Sequence, residues 1–159
     1  MNKAQTLFFT GHRTIPATQE LANAIESTVL SFINKGYKYF VAGGALGFDT
    51  FAADCILSLK SRGLDVKLIL MLPCKNQASR WNRNDILKYE YHLKAADEVI
   101  YVSEAYTSWC MFARNRAMAN ASSACIAYCN KPDGGSAYTV KYASSQGITV
   151  VNLAVGEEM

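Results

Sequence analysis

A chain of 159 residues, half of them apolar and 18% charged, has the size and composition of one globular domain, and we expect a single domain over 1–159. The net charge of +3 arises from 16 basic and 13 acidic residues without a run of like charge. It therefore predicts no polyanionic partner, although nucleic acid stays open. No apolar stretch reaches the roughly 20 residues of a membrane span, so no membrane partner is expected.

The five cysteines are odd in number and lack the paired short spacings of a zinc finger or ribbon. They indicate a reduced, cytoplasmic protein without a metal site. Cys125 and Cys129 lie in an apolar run at an even spacing, which favours small core residues on one face of a strand over metal ligands. The apolar segment that ends at Thr10 is too short for the core of a signal peptide.

Short apolar runs alternate with helical patterns along the chain. Strands are expected at 7–9, 37–42, 66–72, 98–102, 124–128 and 148–153. Helices are expected at 16–36, from 49 to about 63, in the second part of 75–93, at 111–120 and at 137–145, whereas 156–159 should fray. This alternation predicts an α/β fold, a doubly wound Rossmann-like sheet of about six mostly parallel strands with helices on both faces.

A polar loop follows the first strand. Thr10 and Gly11 lead into His12 and Arg13, which stand at the carboxyl end of a buried strand. Ligands bind at that edge of open parallel sheets, and a guanidinium can fork onto a phosphate. Taken alone, however, His12 is better explained as a loop histidine bonded to backbone, and Arg13 as a solvated surface charge.

A glycine turn follows the second strand, where Gly43, Gly44, Ala45 and Gly47 precede a helix that starts near Asp49 and Thr50. Glycines allow a ligand to approach the backbone closely, and the free N–H groups and dipole of a helix start attract an anion. The competing interpretation is a packing turn. Asp49 either bonds a ligand hydroxyl or only satisfies the dipole of its helix.

Three later segments add candidates at the same edge. Pro73 ends the third strand, and Trp81 either stacks a base or closes the core. Arg114 and Asn115 lie near the start of a helix, where a positive charge is unfavourable and favours an anionic partner. Gly134 and Gly135 form a second glycine turn before a helix.

The Gly-His-Arg loop at 11–13, the Gly-Gly-Ala-Leu-Gly-Phe-Asp turn at 43–49, and Arg114-Asn115 occur in an order that resembles one family. The chain looks like a YpsA-type member of the SLOG superfamily, which includes the DprA/Smf proteins and the LOG "lysine decarboxylase-like" enzymes. The resemblance extends from 7 to 153 and implies nucleotide binding at the strand ends. The candidate ligand-binding residues are Thr10, Gly11, His12, Arg13, Gly43, Gly44, Ala45, Gly47, Asp49, Thr50, Pro73, Trp81, Arg114, Asn115, Gly134 and Gly135.

The resemblance to LOG enzymes is incomplete. Met111 and Arg114 match the Met-x-x-Arg-Lys helix of those phosphoribohydrolases, but Asn115 stands where they carry lysine. Their Pro-Gly-Gly-x-Gly-Thr-x-x-Glu motif supplies a glutamate for glycosidic cleavage. Here Asp133-Gly134-Gly135-Ser136 is followed by no carboxylate before Glu157, which argues against that activity. No catalytic residue is assigned.

Three functions follow as hypotheses. The first is binding or sensing of a nucleotide, or of a derivative such as an ADP-ribose-like molecule, without turnover and with no other cofactor. The second is a nucleoside-monophosphate phosphoribohydrolase of LOG type. The third is DprA-like binding of single-stranded DNA through Arg80, Arg83, Arg114 and Arg116. A homo-oligomer is compatible with all three.

Overall fold

The computed structural model describes residues 1–154, and the end expected to fray, 156–159, lies outside them. A single 3-10 turn at Lys3–Gln5 precedes the first strand. The strands are β1 (Thr6–Gly11), β2 (Tyr39–Ala42), β3 (Lys67–Leu72), β4 (Glu98–Tyr101), β5 (Ala124–Tyr128) and β6 (Thr149–Asn152). The helices are α1 (Gln19–Asn34), α2 (Phe48–Ser61), α3 (Arg83–Ala95), α4 (Cys110–Asn120) and α5 (Gly135–Ser145).

The strands form one parallel sheet in the order β4-β3-β2-β1-β5-β6, which confirms the predicted Rossmann-like fold. The chain builds outward from β1 to β4 and then returns to the other side of β1 to add β5 and β6. The strands β1 and β5 are neighbours, and the connections that follow them therefore run in opposite directions along the sheet. Such a switch point is where open α/β sheets bind ligands.

The core has two layers, one on each face of the sheet. Along β1, Leu7 and Phe9 join the layer beneath α1, α2 and α3, whereas Phe8 joins the layer beneath α4 and α5. All three side chains are fully buried. This alternation follows from the two-residue period of a strand. The apolar residues on both faces of β1 are typical of a central strand in a parallel sheet.

The helices begin in two different ways. Thr18 caps α1 by accepting the N–H of Leu21 at 3.2 Å, and Asn82 caps α3 through the N–H of Asp85 at 2.9 Å. In contrast, α2 and α5 begin after Gly47 and Gly134, and within 1–154 no side chain caps either helix. In α2 the N–H of Phe48 donates to the His12 carbonyl, so α5 is the glycine-started helix whose first N–H groups stay available at the carboxyl edge of the sheet.

The five cysteines form no disulfide. Cys125 is buried in the layer beneath α4 and α5, but β5 ends at Tyr128, so Cys129 lies in the loop rather than on the strand. Within 1–154, no group of three or more histidine, cysteine or acidic side chains could hold a metal ion. Over the same residues, no helix combines the length and apolarity needed to cross a membrane.

Candidate functional site

A cleft of about 370 Å³ opens at the carboxyl edge of the sheet, at the switch point between β1 and β5. We call it the central cleft. Its lining residues are Phe9, Thr10, Gly11, His12, Arg13, Ala45, Asp49, Met111, Arg114, Asn115, Met118, Lys131, Asp133, Gly134, Gly135 and Ser136. Three separate loops and the start of α4 thus contribute to one concave surface.

The loop after β1 is held to the two other loops by His12. The backbone N–H of Asn130 donates to His12 Nε2 at 3.0 Å, and the N–H of Phe48 donates to the His12 carbonyl at 3.1 Å. Partial burial and the nearby charge of Lys131 lower the pKa of His12. The imidazole is therefore neutral at pH 7, with Nε2 as acceptor, and the remaining ring proton lies on Nδ1.

The glycines of the first turn pack behind the cleft, whereas Ala45 of the same turn lines it. Gly47 has a φ of +81°, and a Cβ there would lie 2.3 Å from the carbonyl oxygen of Arg13. Gly44 has a φ of +71°, and its Cβ would lie 2.4 Å from Leu72. Side chains are excluded at both positions, so the glycines allow the turn to sit against the β1 loop and the end of β3.

Asp49 enters the central cleft from the first turn of α2. Its side chain is only 6% exposed, and Oδ2 accepts the N–H of Ala45 at 3.2 Å. Burial raises its pKa to about 6, despite the opposing effects of the Arg114 charge and the backbone N–H groups. A carboxyl group with this pKa exchanges a proton near neutral pH, which is a property of acid/base groups in enzymes.

Arg114 places a buried positive charge in the part of the cleft that α4 lines. Its side chain is 5% exposed; Nη1 donates to the carbonyl of Gly43, and Nε donates to Asn115 Oδ1 at 2.8 Å. Nη2 contacts Met111 Sδ at 3.7 Å. Burial lowers the Arg114 pKa, but a guanidinium remains charged at physiological pH. The cleft therefore contains a fixed cation that interacts with Asp49 from across the glycine turn.

The second glycine turn opens directly into the cleft. Gly134 has a φ of +99°, and no atom of the described residues lies within 4 Å of where a Cβ of Gly134 or Gly135 would be. In the part of the chain that the structure describes, no side chain caps α5. The first N–H groups of a helix have no partner inside the helix, so this end offers several donors to an anion.

The structure distributes the candidate residues over more than one surface. Thr10, Gly11, His12, Arg13, Ala45, Asp49, Arg114, Asn115, Gly134 and Gly135 line the central cleft. Gly43 and Gly44 lie behind it, Gly47 and Thr50 border an adjoining depression, and Pro73 is buried after β3. Trp81 lines a second cavity of about 580 Å³ that shares Arg13 and Met111 with the central cleft.

Sequence reasoning missed six lining residues. They are Phe9, Met111, Met118, Lys131, Asp133 and Ser136. Met111 and Met118 were detectable, because with Arg114 and Asn115 they fall at helical spacings on one face of α4. Lys131, Asp133 and Ser136 flank the second glycine turn, and only the position of that turn over β1 brings them into the cleft.

The YpsA family model, described as the YspA SLOG family, matches residues 7–150. The chain belongs to this family. The match confirms the resemblance drawn from the glycine turns and the Gly-His-Arg loop, all of which lie within the matched range.

Relatives of this SLOG protein include the Uncharacterized SPbeta prophage-derived protein YoqJ of Bacillus subtilis (strain 168), which is 34% identical over 90 residues, 56% of this chain and 53% of the relative. A UPF0398 protein of Halalkalibacterium halodurans is 31% identical over 93 residues, 58% of this chain and 48% of the relative. The chain thus spans about half the length of these curated relatives.

DNA processing protein A from Helicobacter pylori is similar in structure, with a TM-score of 0.67 over 94% of this chain and 64% of that protein. The structure of that protein was presented as an account of how it binds single-stranded DNA. The sequences are 18% identical, so the likeness shows a shared fold alone.

Proposed function

We propose that the central cleft binds a nucleotide or a nucleotide-derived phosphate ligand and holds it without cleaving it. The observation that carries the proposal is the uncapped start of α5, where Gly134, Gly135 and Ser136 line the cleft. A phosphate at this position would accept the free N–H groups and interact favourably with the helix dipole.

The charges around the cleft support an anionic ligand. Arg13, Arg114 and Lys131 contribute three cations, against the two carboxyl groups of Asp49 and Asp133. Asp49 is also partly protonated near pH 6 because burial raises its pKa to about 6. The lining therefore has an excess of positive charge, and the buried guanidinium acts where solvent screens it least.

The absence of cleavage is inferred from where the carboxyl groups lie. Asp133 precedes the second glycine turn, and α5 itself carries no acidic residue. Asp49 Oδ2 accepts the N–H of Ala45 and so supports the first glycine turn. Hydrolysis of a glycosidic bond needs a carboxyl group that is free to act as an acid or base at the sugar. We therefore propose this role for neither Asp49 nor Asp133.

The test places a carboxylate in the proposed phosphate position. Ser136→Asp should weaken binding of nucleoside 5′-monophosphates about 10-fold or more by repulsion, while favourable interaction with the α5 dipole leaves stability unchanged or raises it. Titration calorimetry and thermal unfolding separate the two effects. Ser31→Asp, an exposed position on α1, is the matched control. Equal affinities for Ser136→Asp and Ser31→Asp would refute a phosphate site at α5.

One observation favours a second function, hydrolysis of a nucleotide N-glycosidic bond. Asp49 faces the cleft with a pKa raised to about 6, in the range suited to a general acid or base. If Asp49 performs this role, incubation with nucleoside monophosphates should release free base, and Asp49→Asn should abolish release while retaining binding. Chromatography of the products decides between the proposals, since intact nucleotide after prolonged incubation favours binding alone.

Single-stranded DNA is not the ligand that these positions favour. Arg114 is buried and bonded within the cleft, and the Arg116 guanidinium lies 4.7 Å from the centre of the Tyr142 ring. Arg80, Arg83 and Arg116 are exposed, but Arg80 and Arg83 lie just before and at the start of α3 and Arg116 lies on α4, away from the buried Arg114. A gel shift at low salt with a steep salt dependence would favour the DNA function instead.

A further inference from the structure

The cavity that Trp81 lines has two features of a base-binding compartment. We call it the side cavity; it has a volume of about 580 Å³ and lies beside the central cleft. Arg13 and Met111 border both spaces. The two spaces therefore adjoin at these two side chains. Each space has the size of a typical small-molecule site, about 300–1,000 Å³.

The first feature is a buried hydrogen-bond acceptor without a partner. Among the residues that the structure describes, Gln77 Oε1 is the buried side-chain nitrogen or oxygen that has no hydrogen-bond partner. Gln77 Nε2 faces the carbonyl oxygen of Gly44 at 3.4 Å and the hydroxyl of Tyr89 at 3.3 Å. The Gly44 carbonyl can only accept, which fixes the amide with its nitrogen on that side. A buried, unsatisfied acceptor is unfavourable. Because Oε1 is buried, a ligand N–H relieves it only after the Gln77 side chain rotates toward the side cavity that this residue lines.

The second feature is a held aromatic surface. Trp81 packs edge to face on Tyr89, with 5.3 Å between ring centres and 77° between ring planes. Trp81 is partly buried, and Tyr106 and Arg80 complete this part of the side cavity. An indole held in this way loses little freedom when a planar base stacks on it, and a guanidinium adds to such stacking.

We propose that the side cavity binds the base of the nucleotide, with Trp81 as the stacking surface and Gln77 Oε1 as the acceptor for a base N–H. The inference rests on the proposed function, because the phosphate in the central cleft positions the base. It identifies the ligand as a nucleotide that carries a base with a hydrogen-bond donor, and it excludes a sugar phosphate without a base as the preferred ligand.

The experiment uses tryptophan fluorescence. The chain has two tryptophans, so Trp109→Phe leaves Trp81 as the single emitter. The probes are the four common ribonucleoside 5′-monophosphates, the matching nucleosides and ribose 5-phosphate. A monophosphate that binds by calorimetry should quench Trp81, whereas ribose 5-phosphate should bind without quenching. In the matched Trp81→Phe protein, Trp109 emission should not change.

Affinity measurements test the two side chains separately. Trp81→Leu should weaken binding of the preferred monophosphate about 10-fold and Gln77→Leu about 5-fold, with binding of ribose 5-phosphate unchanged. Gln146→Leu, at an exposed position after α5, is the matched control for the loss of an amide. Circular dichroism and urea unfolding identify any variant that loses its fold, and the quenching result stands independently of those variants.

The outcomes separate this inference from the proposed function. Binding of ribose 5-phosphate and of monophosphates without Trp81 quenching would overturn the base compartment and leave the phosphate site intact. Nucleosides that quench Trp81 as strongly as monophosphates do, with no binding of ribose 5-phosphate, would support the base compartment and overturn the phosphate site. No response to any probe would overturn both.

Discussion

The carboxyl group of Asp49 and the guanidinium of Arg114 flank Gly43 from two directions. A Cβ on Gly43 would lie 2.6 Å from Arg114 Nη1 and 2.9 Å from Asp49 Oδ2. Arg114 donates to the Gly43 carbonyl, and Asp49 accepts from Ala45, so each charged group supports the turn as well as facing the cleft. Burial dominates the pKa of both groups, which keeps Asp49 protonated to higher pH than an exposed aspartate.

The raised pKa of Asp49 predicts a specific pH dependence of stability. Its value is 3.8 in the unfolded reference and about 6 in the folded protein, so between these values the folded state binds more protons. The stabilising contribution is complete below pH 4 and is lost as pH rises through 6, a change of about 3 kcal/mol. Asp49→Asn should remove this slope.

Urea unfolding of both proteins at several pH values from 4 to 7 measures the effect. The difference between the two curves isolates Asp49, because Asp54 and Asp97, whose pKa values are lowered by their basic partners, contribute equally to both. A constant difference in the free energy of unfolding over this range would show that Asp49 titrates normally.

At the scale of elements, the site depends on how closely the β1 loop meets the start of α2. Gly47 allows this contact, and the N–H of Phe48 donates to the carbonyl of His12 across it. Thr50 adds a hydrogen bond from its hydroxyl to the Ala45 carbonyl at 3.2 Å. The junction therefore positions Ala45 and Asp49 in the cleft through backbone contacts. These contacts are possible only because position 47 carries no side chain.

Gly47→Ala should destabilise the protein by about 2–4 kcal/mol, because strain at positive φ adds to a clash with the Arg13 and His12 carbonyls. Gly63→Ala is the matched control: its φ is +91°, but no described residue has an atom within 4 Å of the added Cβ, so only about 1 kcal/mol is expected. Urea unfolding gives both values. Equal losses would show that the β1 loop adapts to the added methyl group.

At the scale of the whole molecule, β1 is the strand on which the cleft depends. It pairs with β2 on one side and β5 on the other, and both core layers pack on it. The loops that follow β1 and β5 form two walls of the central cleft, and α2, which follows β2, contributes Asp49. The geometry of the site and the stability of the sheet are thus linked through one element.

Phe8→Ala should therefore cost about 3–5 kcal/mol, because Phe8 is fully buried on β1 and its removal leaves a cavity beneath α4 and α5. Val99→Ala, on the edge strand β4 where the side chain is partly buried, should cost about 1 kcal/mol. Denaturant titrations of both variants test the contrast, and comparable losses would mean that the edge is as tightly packed as the centre.

Much of the secondary structure could be predicted because its signals are local. The strand at 124–128 was expected with the bounds that β5 has, since an apolar run is read within the run itself. Helix starts were less accurate: α5 was expected from 137 but begins at Gly135, because glycines can occupy a first turn without a side-chain signal. The fold class followed from the alternation of strands and helices.

The sequence by itself determined the α/β order, the glycine turns and the resemblance to the SLOG family, because each depends on residues close together in the chain. Only the tertiary structure decided that Gly43 and Gly44 lie behind the cleft, that Lys131 and Ser136 line it, and that Trp81 borders a separate cavity. These facts, like the raised pKa of Asp49, depend on burial and on contacts between distant segments, which exist only once the sheet has assembled.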